Sequence, residues 1–376
     1  MNEIVYDTAI VGGGLAGLTL SIKLAVGGRS VILFEKEQYP FHKVCGEYIS
    51  MECWDYLHTL GLPLKNMSLP LINKLVITSP SGNILHTKLP LGGFGISRYK
   101  IDNDLKNIAI EKGVTILENC RADDIVFEKE IFVIKTNAGS FKSRVCCGCY
   151  GKRSNMDVKW KRNFITRKNN KLNNYIGVKY HVETNSDAET ISLHNFKDGY
   201  CGISKIEDNR YCLCYLTNAE NLKKCGSIEK MEQTVLSANP FLKDLLENTR
   251  KIYQPVTISQ ISFNIKSQVE NHVLMAGDSA GMITPLCGNG MSMAIHAGKI
   301  AAGYISDFLD SKISRDELEV CYSEQWESLF GKRLRTGRII QYFFGKVWLS
   351  DFFINTMKQF PGLTKKTISL THGKPF

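Results

Sequence analysis

Export and membrane-spanning signals are absent from this sequence. The N-terminus, MNEIVYDTAIVGGG, leads almost at once into a strand-like stretch, without a basic region, an apolar core and a small-residue cleavage site. The chain also has no run of about 18 apolar residues, which argues against a membrane-spanning helix. We therefore expect a cytoplasmic protein, either free or attached to the periphery of a membrane.

Cysteine spacing typical of metal sites is absent as well. The chain has 12 cysteines, but no set of four Cys/His residues in it has zinc spacing. Cys146, Cys147 and Cys149 share one strand-like run, and Cys212 and Cys214 share one face of another. Reduced thiols that pack as small core residues are therefore expected, with no metal.

Motifs of several enzyme and binding classes are also missing. There is no Ser-His-Asp order, paired-carboxylate motif or Walker loop, and the histidines are scattered. No nucleic-acid-binding motif accompanies the net charge of +10. The 376 residues, 43% apolar and 22% charged, are typical of a globular enzyme with more than one simple domain. We expect its partner to be a small-molecule substrate and no nucleic acid.

Positive charge is concentrated in two stretches. Residues 331–376 contain nine Lys/Arg and one acid, Asp351, whereas residues 152–171 contain eight Lys/Arg and one acid, Asp157. These stretches are either solvated surface or contacts for an anionic partner: a cofactor phosphate, a lipid surface or a carrier protein.

The C-terminal basic stretch is amphipathic. An apolar stripe at helical spacing consists of Ile340, Phe343, Phe344, Val347 and Trp348. Two interpretations are open: the stripe packs on the protein's own core, or it forms a basic cap that shields a lipophilic substrate or rests on a membrane surface.

A glycine motif follows the first predicted strand, at residues 4–11. The motif consists of Gly12, Gly13, Gly14, Leu15, Ala16 and Gly17. Gly12 allows a tight turn, Gly14 lets the backbone approach a pyrophosphate, and Gly17 lets the following helix pack against the strand. A second predicted strand, at residues 30–34, ends on Glu35, which is placed to accept hydrogen bonds from ribose hydroxyls. This β-α-β unit predicts a dinucleotide site at a helix N-terminus.

A second glycine motif lies about three-quarters of the way along the chain, after a predicted strand at residues 273–276. Its candidate residues are Gly277, Asp278, Pro285, Gly288, Gly290 and Met291. The carboxylate at the strand end can bond the ribityl hydroxyls of FAD, and the predicted helix at 291–309 would favour negative charge on a reduced flavin. The two motifs together predict FAD.

The pattern between the two motifs changes to a period of two. It occurs at residues 176–182, 190–194 and 210–216, with a turn at 207–209, and is typical of an antiparallel sheet. Earlier strands are predicted at 114–118, 124–134 and 141–147. We therefore expect an α/β (α+β) fold in which a Rossmann-like FAD-binding domain is interrupted by a mainly antiparallel substrate domain and followed by C-terminal helices.

The predicted domains are discontinuous. Residues 1–70, 96–160 and 270–330 form the FAD-binding domain, and residues 71–95 and 161–269 form the substrate domain. Residues 331–376 form the basic helical segment.

Five pieces of the sequence carry a family resemblance. They are VGGGLAGL (11–18), FEK (34–36), GISRYKID (95–102), GKRS (151–154) and GDSAGMITPLCGNGMSMAI (277–295). In this order they resemble the flavoproteins that include p-hydroxybenzoate hydroxylase, the aromatic-ring monooxygenases and the geranylgeranyl reductases. The resemblance implies a GR2-type FAD-binding fold. It also implies FAD contacts from both glycine motifs, Glu35, Lys36 and Arg98, with Asp278 on the ribityl chain.

The loop from Pro40 to Glu47 resembles the P-x-x-K-x-C-G loop of the geranylgeranyl reductase branch. In that branch the loop lies near the flavin, which makes Lys43, Cys45 and Gly46 candidates for its surroundings and for catalysis. Cys45 is either a small thiol packed beside the cofactor or a catalytic thiol; nothing in the sequence shows that its pKa is lowered.

Two departures from the family pattern bear on the reaction. Tyr150 stands where the family usually has an Asp associated with FAD and nicotinamide handling. Residues 200–205 lack the Trp and Pro of the prenyl-reductase substrate motif. The resemblance therefore implies the cofactor more specifically than the reaction.

Three functions follow from these observations. The first is a flavin monooxygenase that hydroxylates an aromatic or lipophilic (polyene or carrier-bound) substrate through a peroxyflavin, with NAD(P)H or a partner protein as the reductant. The second is a geranylgeranyl-reductase-like enzyme that reduces carbon–carbon double bonds. The third is a non-redox FAD-binding cyclase or binding module. A long apolar pocket would favour a lipid or polyene, and a compact polar one a small aromatic acid.

Overall fold

The computed structural model describes residues 4–166, 174–284, 288–343 and 346–376. The strands, in chain order, are β1 (Val5–Val11), β2 (Val31–Phe34), β3 (Tyr48–Ser50), β4 (Leu71–Thr78), β5 (Ile84–Gly95), β6 (Thr115–Leu117), β7 (Ala122–Glu128), β8 (Ile131–Thr136), β9 (Gly139–Gly148), β10 (Tyr175–Glu183), β11 (Thr190–Phe196), β12 (Gly199–Lys205), β13 (Tyr211–Asn218), β14 (Arg250–Lys251), β15 (Val256–Ile261), β16 (Val269–Glu270) and β17 (Val273–Met275).

The α-helices are α1 (Leu15–Val26), α2 (Trp54–Thr59), α3 (Arg98–Glu111), α4 (Asn155–Lys159), α5 (Asn163–Thr166), α6 (Ala219–Cys225), α7 (Ile228–Thr234), α8 (Pro240–Glu247), α9 (Gly290–Leu309), α10 (Arg315–Phe343), α11 (Val347–Gln359) and α12 (Pro361–Thr371). None of the helices in these ranges is long and apolar enough to cross a bilayer.

The first sheet has the strand order β16-β17-β9-β1-β2-β6, with the β7–β8 hairpin attached to β9. β1 pairs in parallel with β2 and β9, and β17 pairs in parallel with β9. Because the carboxyl ends of parallel strands meet at one edge, residues that follow β1, β2, β9 and β17 converge there. Gly12, Glu35, Cys149 and Ala276 are the residues so placed.

The second sheet has the order β14-β10-β13-β12-β11-β4-β5-β3, with β15 beside β10. Its pairs are antiparallel apart from β4 and β11, which run in parallel. Asp208 and Asn209 turn between β12 and β13 with φ angles of 58° and 57°. The α/β class, with a mainly antiparallel sheet between two parts of the nucleotide fold, is confirmed.

Three local predictions differ from the structure. Residues 124–134, expected as one strand, form the β7–β8 hairpin, whose turn residues Lys129 and Glu130 have φ angles of 50° and 63°. Neither is the Gly or Asn that usually marks such a turn, so the sequence pattern did not show it. β3 lies within the segment 1–70 but pairs with β5 of the second sheet. α10 runs without a break through the predicted boundary at residue 330.

The main core lies between the first sheet and helices α1, α9 and α10. Leu18, Phe34, Ile295 and Trp326 are among its buried side chains. The 11 cysteines in the described ranges are all unpaired, and Cys146, Cys147 and Cys149 are buried in this core. Burial raises the pKa of the Cys146 thiol, so it stays protonated and packs as a small apolar group.

Candidate active site

The first glycine motif forms a turn that has no room for side chains at two positions. Gly12 has a φ of +110°, and a Cβ there would lie 2.4 Å from the carbonyl oxygen of Cys149. A Cβ at Gly17 would lie 2.1 Å from the carbonyl oxygen of Gly12. The two glycines therefore bring α1 directly against the ends of β1 and β9, and the N-terminus of α1 faces the edge of the sheet.

The N-termini of α1 and α9 are left without side-chain caps. Gly14 precedes α1 and Asn289 precedes α9. At neither position does a side chain accept a hydrogen bond from the first amides of the helix. Ser97, Ser227 and Asn239 do cap α3, α7 and α8. Because the first amides of a helix need acceptors, uncapped ends at both glycine motifs fit an anionic ligand such as FAD. The glycine turn and these amides are the features by which the chain fits the cofactor.

Glu35 is buried and oriented by backbone amides. Its Oε2 accepts a hydrogen bond of 2.9 Å from the N–H of Gly13, and its Oε1 accepts one of 3.1 Å from the N–H of Glu37. A carboxylate has about four lone-pair sites, so Glu35 keeps capacity for ribose hydroxyls. Lys36, by contrast, is exposed and lies 3.7 Å from the Glu37 carboxylate.

Arg98, Lys43 and Asp102 form a group that we call the Asp102 cluster. The Arg98 guanidinium donates two hydrogen bonds, of 2.8 and 2.7 Å, to the Asp102 carboxylate. The Lys43 ammonium lies 3.0 Å from the same carboxylate and 3.3 Å from the carbonyl oxygen of Gly13. Burial would raise the pKa of Asp102, but the two cations lower it. Two cations beside the glycine turn are suited to a pyrophosphate.

The second glycine motif begins with a short helical turn over Gly277–Ser279. The Asp278 carbonyl accepts a hydrogen bond of 2.7 Å from Lys266, while no donor within the described residues bonds its carboxylate. Burial lowers the pKa of Lys266 to about 8. The loop then reaches Gly288, with a φ of +62°, before α9 begins at Gly290. Pro285, also predicted in this motif, lies outside the described residues.

Arg162, which sequence reasoning did not single out, supports the second motif. It is 2% exposed and donates hydrogen bonds to the Ser279 carbonyl at 3.0 Å and to Asp157 at 2.9 Å. The Tyr150 hydroxyl also donates to Asp157, at 3.2 Å. Tyr150, where the family resemblance implies an Asp, thus belongs to a polar group that supports the turn. The basic run at 152–171 includes Arg162, but the run predicts either solvated surface or contacts for an anionic partner, and neither is a buried support for this turn.

Glu47, Lys179 and His181 form the Glu47 cluster, which is almost sealed from solvent. Their side chains are 0%, 1% and 2% exposed. Lys179 donates to one Glu47 oxygen, and His181 Nε2 lies 2.6 Å from the other. Burial would raise the pKa of Glu47, but Lys179 and His181 lower it. The Cys212 sulfur lies within 4.8 Å of a Glu47 carboxylate oxygen and a His181 ring nitrogen, a grouping that could hold a metal ion. The Lys179 ammonium, however, already neutralises the Glu47 carboxylate.

The loop at residues 40–47 is held between the two clusters. Lys179 donates to the Lys43 carbonyl at 3.3 Å, and the Cys212 thiol donates to the Cys45 carbonyl at 3.2 Å. Ser204 donates to the Gly46 carbonyl at 3.3 Å. These three donors belong to β10, β13 and β12, so the second sheet fixes the loop that carries the candidate residues Lys43, Cys45 and Gly46.

The same loop reaches the second glycine motif. The sulfur of Cys45 lies 3.5 Å from the sulfur of Met291, in the first turn of α9. The Glu47 cluster connects outward through His181, whose Nδ1 lies 2.8 Å from the hydroxyl of Tyr253. Tyr253 is 37% exposed, so a hydrogen-bonded chain runs from the surface to the carboxylate beneath this loop.

An apolar cleft opens between the second sheet and the C-terminal helices. It is open to solvent and lined mostly by apolar side chains. Its apolar walls are formed by Leu75, Ile77, Leu85, Leu89, Leu193, Ile340, Phe353, Met357 and Ile368. The polar residues of the lining are Thr87, Thr364, Thr367, Thr371 and His372. The Thr371 carbonyl accepts a hydrogen bond of 2.9 Å from Asn289. A residue that lines the cleft is therefore hydrogen-bonded to Asn289, which lies between Gly288 and Gly290 of the second glycine motif.

The predicted stripe in the C-terminal segment divides between two environments. Ile340 lines the cleft, and Phe343 is half-buried. Val347 and Trp348 are 41% and 70% exposed. Phe344 lies outside the described residues. Both earlier interpretations therefore have residues that fit them: part of the segment packs on the core, and part faces solvent.

The chain matches one family over most of its length. Residues 5–311 match the family described as "FAD binding domain". A conditioned medium factor receptor 1 from Dictyostelium discoideum is 23% identical over 88% of this chain and 69% of its own length. A 1H-pyrrole-2-carbonyl-(peptidyl-carrier protein) brominase from Pseudoalteromonas luteoviolacea is 24% identical over 98% and 92%. A digeranylgeranylglycerophospholipid reductase from Methanococcus vannielii is 23% identical over 86% and 83%.

Solved structures share the fold. The flavin-dependent brominase Bmp2 has a TM-score of 0.80 at 20% identity, over 98% of this chain and 93% of its own. A geranylgeranyl bacteriochlorophyll reductase-like protein from Thermoplasma acidophilum has 0.78 at 16%, over 99% and 93%. The flavin-dependent halogenase CmlS has 0.77 at 17%, over 89% of this chain, which spans 64% of its length. At these identities the likeness shows the architecture alone.

Proposed function

Because this chain belongs to the FAD binding domain family, we propose that this FAD-dependent oxidoreductase reduces carbon–carbon double bonds of a long lipophilic substrate. The observation that carries the proposal is the mainly apolar lining of the cleft between the second sheet and the C-terminal helices. Aliphatic and aromatic walls suit an isoprenoid or polyene chain, whereas a small aromatic acid would need charged partners there. The similarity to a digeranylgeranylglycerophospholipid reductase supports the same class.

The two glycine motifs would hold the cofactor. Gly12, Gly14 and the N-terminus of α1 would bind the pyrophosphate, with Lys43 and Arg98 of the Asp102 cluster beside it. Glu35 would accept the ribose hydroxyls, and Asp278 and the start of α9 would meet the flavin end. When bound and reduced, FAD would supply two electrons as a hydride, and NAD(P)H would reduce the resulting oxidised FAD again.

The chain's own residues would supply the proton and the dry surroundings. A double bond that accepts a hydride at one carbon needs a proton at the other. The Tyr253–His181–Glu47 chain of hydrogen bonds leads from solvent to the loop at 40–47 and would resupply that proton. Cys45, beside Met291 in the first turn of α9, is the candidate group to deliver it. The apolar cleft walls would exclude water from the substrate chain.

A second candidate reaction is oxygen insertion into the same kind of substrate. The similarity to a brominase over 98% of this chain favours it, because electrophilic bromination needs an oxidant at the flavin. Under this alternative the same motifs hold FAD and the same cleft binds the substrate, but molecular oxygen is consumed.

One experiment separates these reactions. The purified holoprotein is reduced with dithionite under anaerobic conditions, so that the natural electron donor is not needed, and mixed with geranylgeraniol or a carotenoid polyene. Flavin reoxidation with saturated product by mass spectrometry supports the reductase. No reoxidation until oxygen is admitted, followed by a product heavier by one oxygen atom, would replace it with the monooxygenase. Conversion of substrate without any change in the flavin would favour a non-redox role.

A further inference from the structure

Exposed apolar side chains are concentrated on the C-terminal helices. Among the described residues, 19 large hydrophobic side chains are exposed, and seven of them lie between residues 339 and 363. They are Ile339, Tyr342, Val347, Trp348, Phe352, Phe360 and Leu363. A concentration of this kind marks an interaction surface, because isolated exposed apolar residues are scattered over most proteins.

These helices have two opposed faces. On α11, Leu349, Ile354 and Met357 are buried, whereas Trp348 and Phe352, four residues apart, are 70% and 60% exposed. The spacing places the two aromatic rings on one side of the helix, away from the cleft. α10 and α12 pack against α11 and repeat the pattern, with Ile340 and Ile368 in the cleft and Tyr342 and Leu363 exposed.

The helices that carry the exposed aromatic residues also carry exposed lysines, one of which, Lys346, lies over the Tyr342 ring at 4.3 Å. Lys346, Lys358, Lys365 and Lys366 are exposed, and no acid within the described residues forms an ion pair with any of them. Asp351, the one acid in residues 331–376, accepts hydrogen bonds from Ser81 and Asn83 at 2.6 and 2.9 Å. Its charge is therefore directed at the β4–β5 turn and does not neutralise these lysines.

We propose that this face, formed by the end of α10 with α11 and α12, docks on an anionic phospholipid surface. Trp, Tyr and Phe rings with flanking lysines are typical of helices that lie in the headgroup region of a bilayer. Protein–protein interfaces, by contrast, are depleted in lysine at their centres. A symmetric dimer through this face would bring together two segments that each carry nine Lys/Arg and one acid, which repel one another.

The docking face and the cleft share their helices. The inner sides of α10–α12 form one wall of the cleft, so docking would bring the cleft next to the lipid phase. The idea that docking serves the cleft rests on the proposed function, whereas the docking itself does not.

Vesicle co-sedimentation of the FAD-bound protein tests the proposal. The vesicles are pure phosphatidylcholine, or phosphatidylcholine with 30% phosphatidylglycerol. We expect binding to the anionic vesicles that weakens with added salt. The variant W348S/F352S should bind them about tenfold more weakly. In K365A/K366A, each lysine removed should weaken binding about fivefold. The control variants are I110S/V320S, at positions 50% and 54% exposed elsewhere, and K223A/K224A on α6.

Several results would overturn the proposal: no binding to anionic vesicles, equal binding to neutral ones, or losses in the control variants that match those of the test variants. Concentration-dependent dimers that W348S/F352S abolishes would assign the face to a second copy of the chain. Unchanged FAD absorbance and unchanged turnover of detergent-dispersed substrate should accompany weaker vesicle binding in W348S/F352S. Vesicle binding without any double-bond reduction would reject the proposed function and leave the docking face in place.

Discussion

Two buried charge clusters flank the loop at residues 40–47, and they differ in what they face. In the Asp102 cluster the partners come from one helix turn and a nearby loop, and Arg98 and Lys43 keep 13% and 23% of their side chains exposed. In the Glu47 cluster, Lys179 and His181 come from 132 and 134 residues away and are 1% and 2% exposed. The first cluster is open to a ligand, and the second joins the loop to β10 of the second sheet.

This difference suggests a division of labour around one loop. A cluster with accessible cations can exchange some of its internal contacts for contacts to a phosphate. A sealed cluster cannot, because an unpaired charge in the interior is strongly unfavourable. We therefore expect the Asp102 cluster to control cofactor affinity and the Glu47 cluster to control stability and the position of Cys45.

The largest expected effect concerns the sealed cluster. Lys179→Met leaves the Glu47 carboxylate without its ammonium partner, and loss of one partner of a buried pair costs about 3–5 kcal/mol. We expect the free energy of unfolding in urea to fall by that amount. Lys74→Met, which removes a half-exposed lysine that pairs with Asp187 and Glu189, should change it by less than about 1 kcal/mol. Equal losses in the two variants would contradict the comparison.

The glycine turn should divide into a structural position and a ligand-facing position. Gly17→Ala forces a Cβ to within 2.1 Å of a backbone oxygen and should destabilise the protein without ligand by about 1–3 kcal/mol. A Cβ at Gly14 meets only the Arg98 guanidinium, at 3.5 Å, so Gly14→Ala should keep the stability and weaken FAD binding. Thermal unfolding of the apoprotein and FAD titration by fluorescence provide the two measurements.

The open cluster should respond in affinity rather than stability. Lys43→Met leaves Asp102 paired with Arg98, so the stability of the apoprotein should change little. Loss of a charge-assisted contact to phosphate should weaken FAD binding about tenfold or more. A variant that binds FAD like the parent protein would show that Lys43 serves the loop instead.

Mild acid should leave both clusters intact but should reduce the stability of the protein through a buried histidine, His194. The pKa values of Asp102 and Glu47 are lowered, so their contribution to stability is lost only below the usual carboxylate range. Burial lowers the pKa of His194 from 6.5 to about 4, so the unfolded state binds the extra proton between these values. Stability should therefore fall as pH decreases through this window.

The size of that decrease can be measured with one variant. For His194 alone we expect a loss of about 1 kcal/mol between pH 7 and 5.5. Urea unfolding at both pH values should show a smaller loss in His194→Asn, which lacks the titrating ring. The same pH dependence in the variant and the parent would assign the loss to other groups.

The sequence was sufficient where the structure depends on local spacing. The glycine motif, its strand and helix, and the acid at the end of β2 are all adjacent in the chain, and the structure has them in the expected order. Arg98 and Asp102 are four residues apart in α3, a spacing at which side chains meet. The family, the fold class and the FAD cofactor were therefore predictable.

The long-range polar contacts were not predictable from one sequence. Glu47 was seen only as the end of a loop, and Lys179 and His181 only as alternating residues of a strand, since no local pattern relates positions so far apart. Arg162 was counted as part of a basic surface run but is buried behind the second motif. Contacts that depend on how two sheets meet need the tertiary fold.

The position of β17 has a consequence for how the chain folds. β17 covers the edge of β9 at Cys147 and Gly148, although more than 100 residues of the second sheet and its helices separate the two strands in sequence. Until β17 arrives, this end of β9 presents unpaired backbone groups next to buried cysteines, which is a template for pairing with another chain. A chain cut before residue 273 should therefore aggregate, and a chaperone that binds exposed strand edges would act at this stage of synthesis.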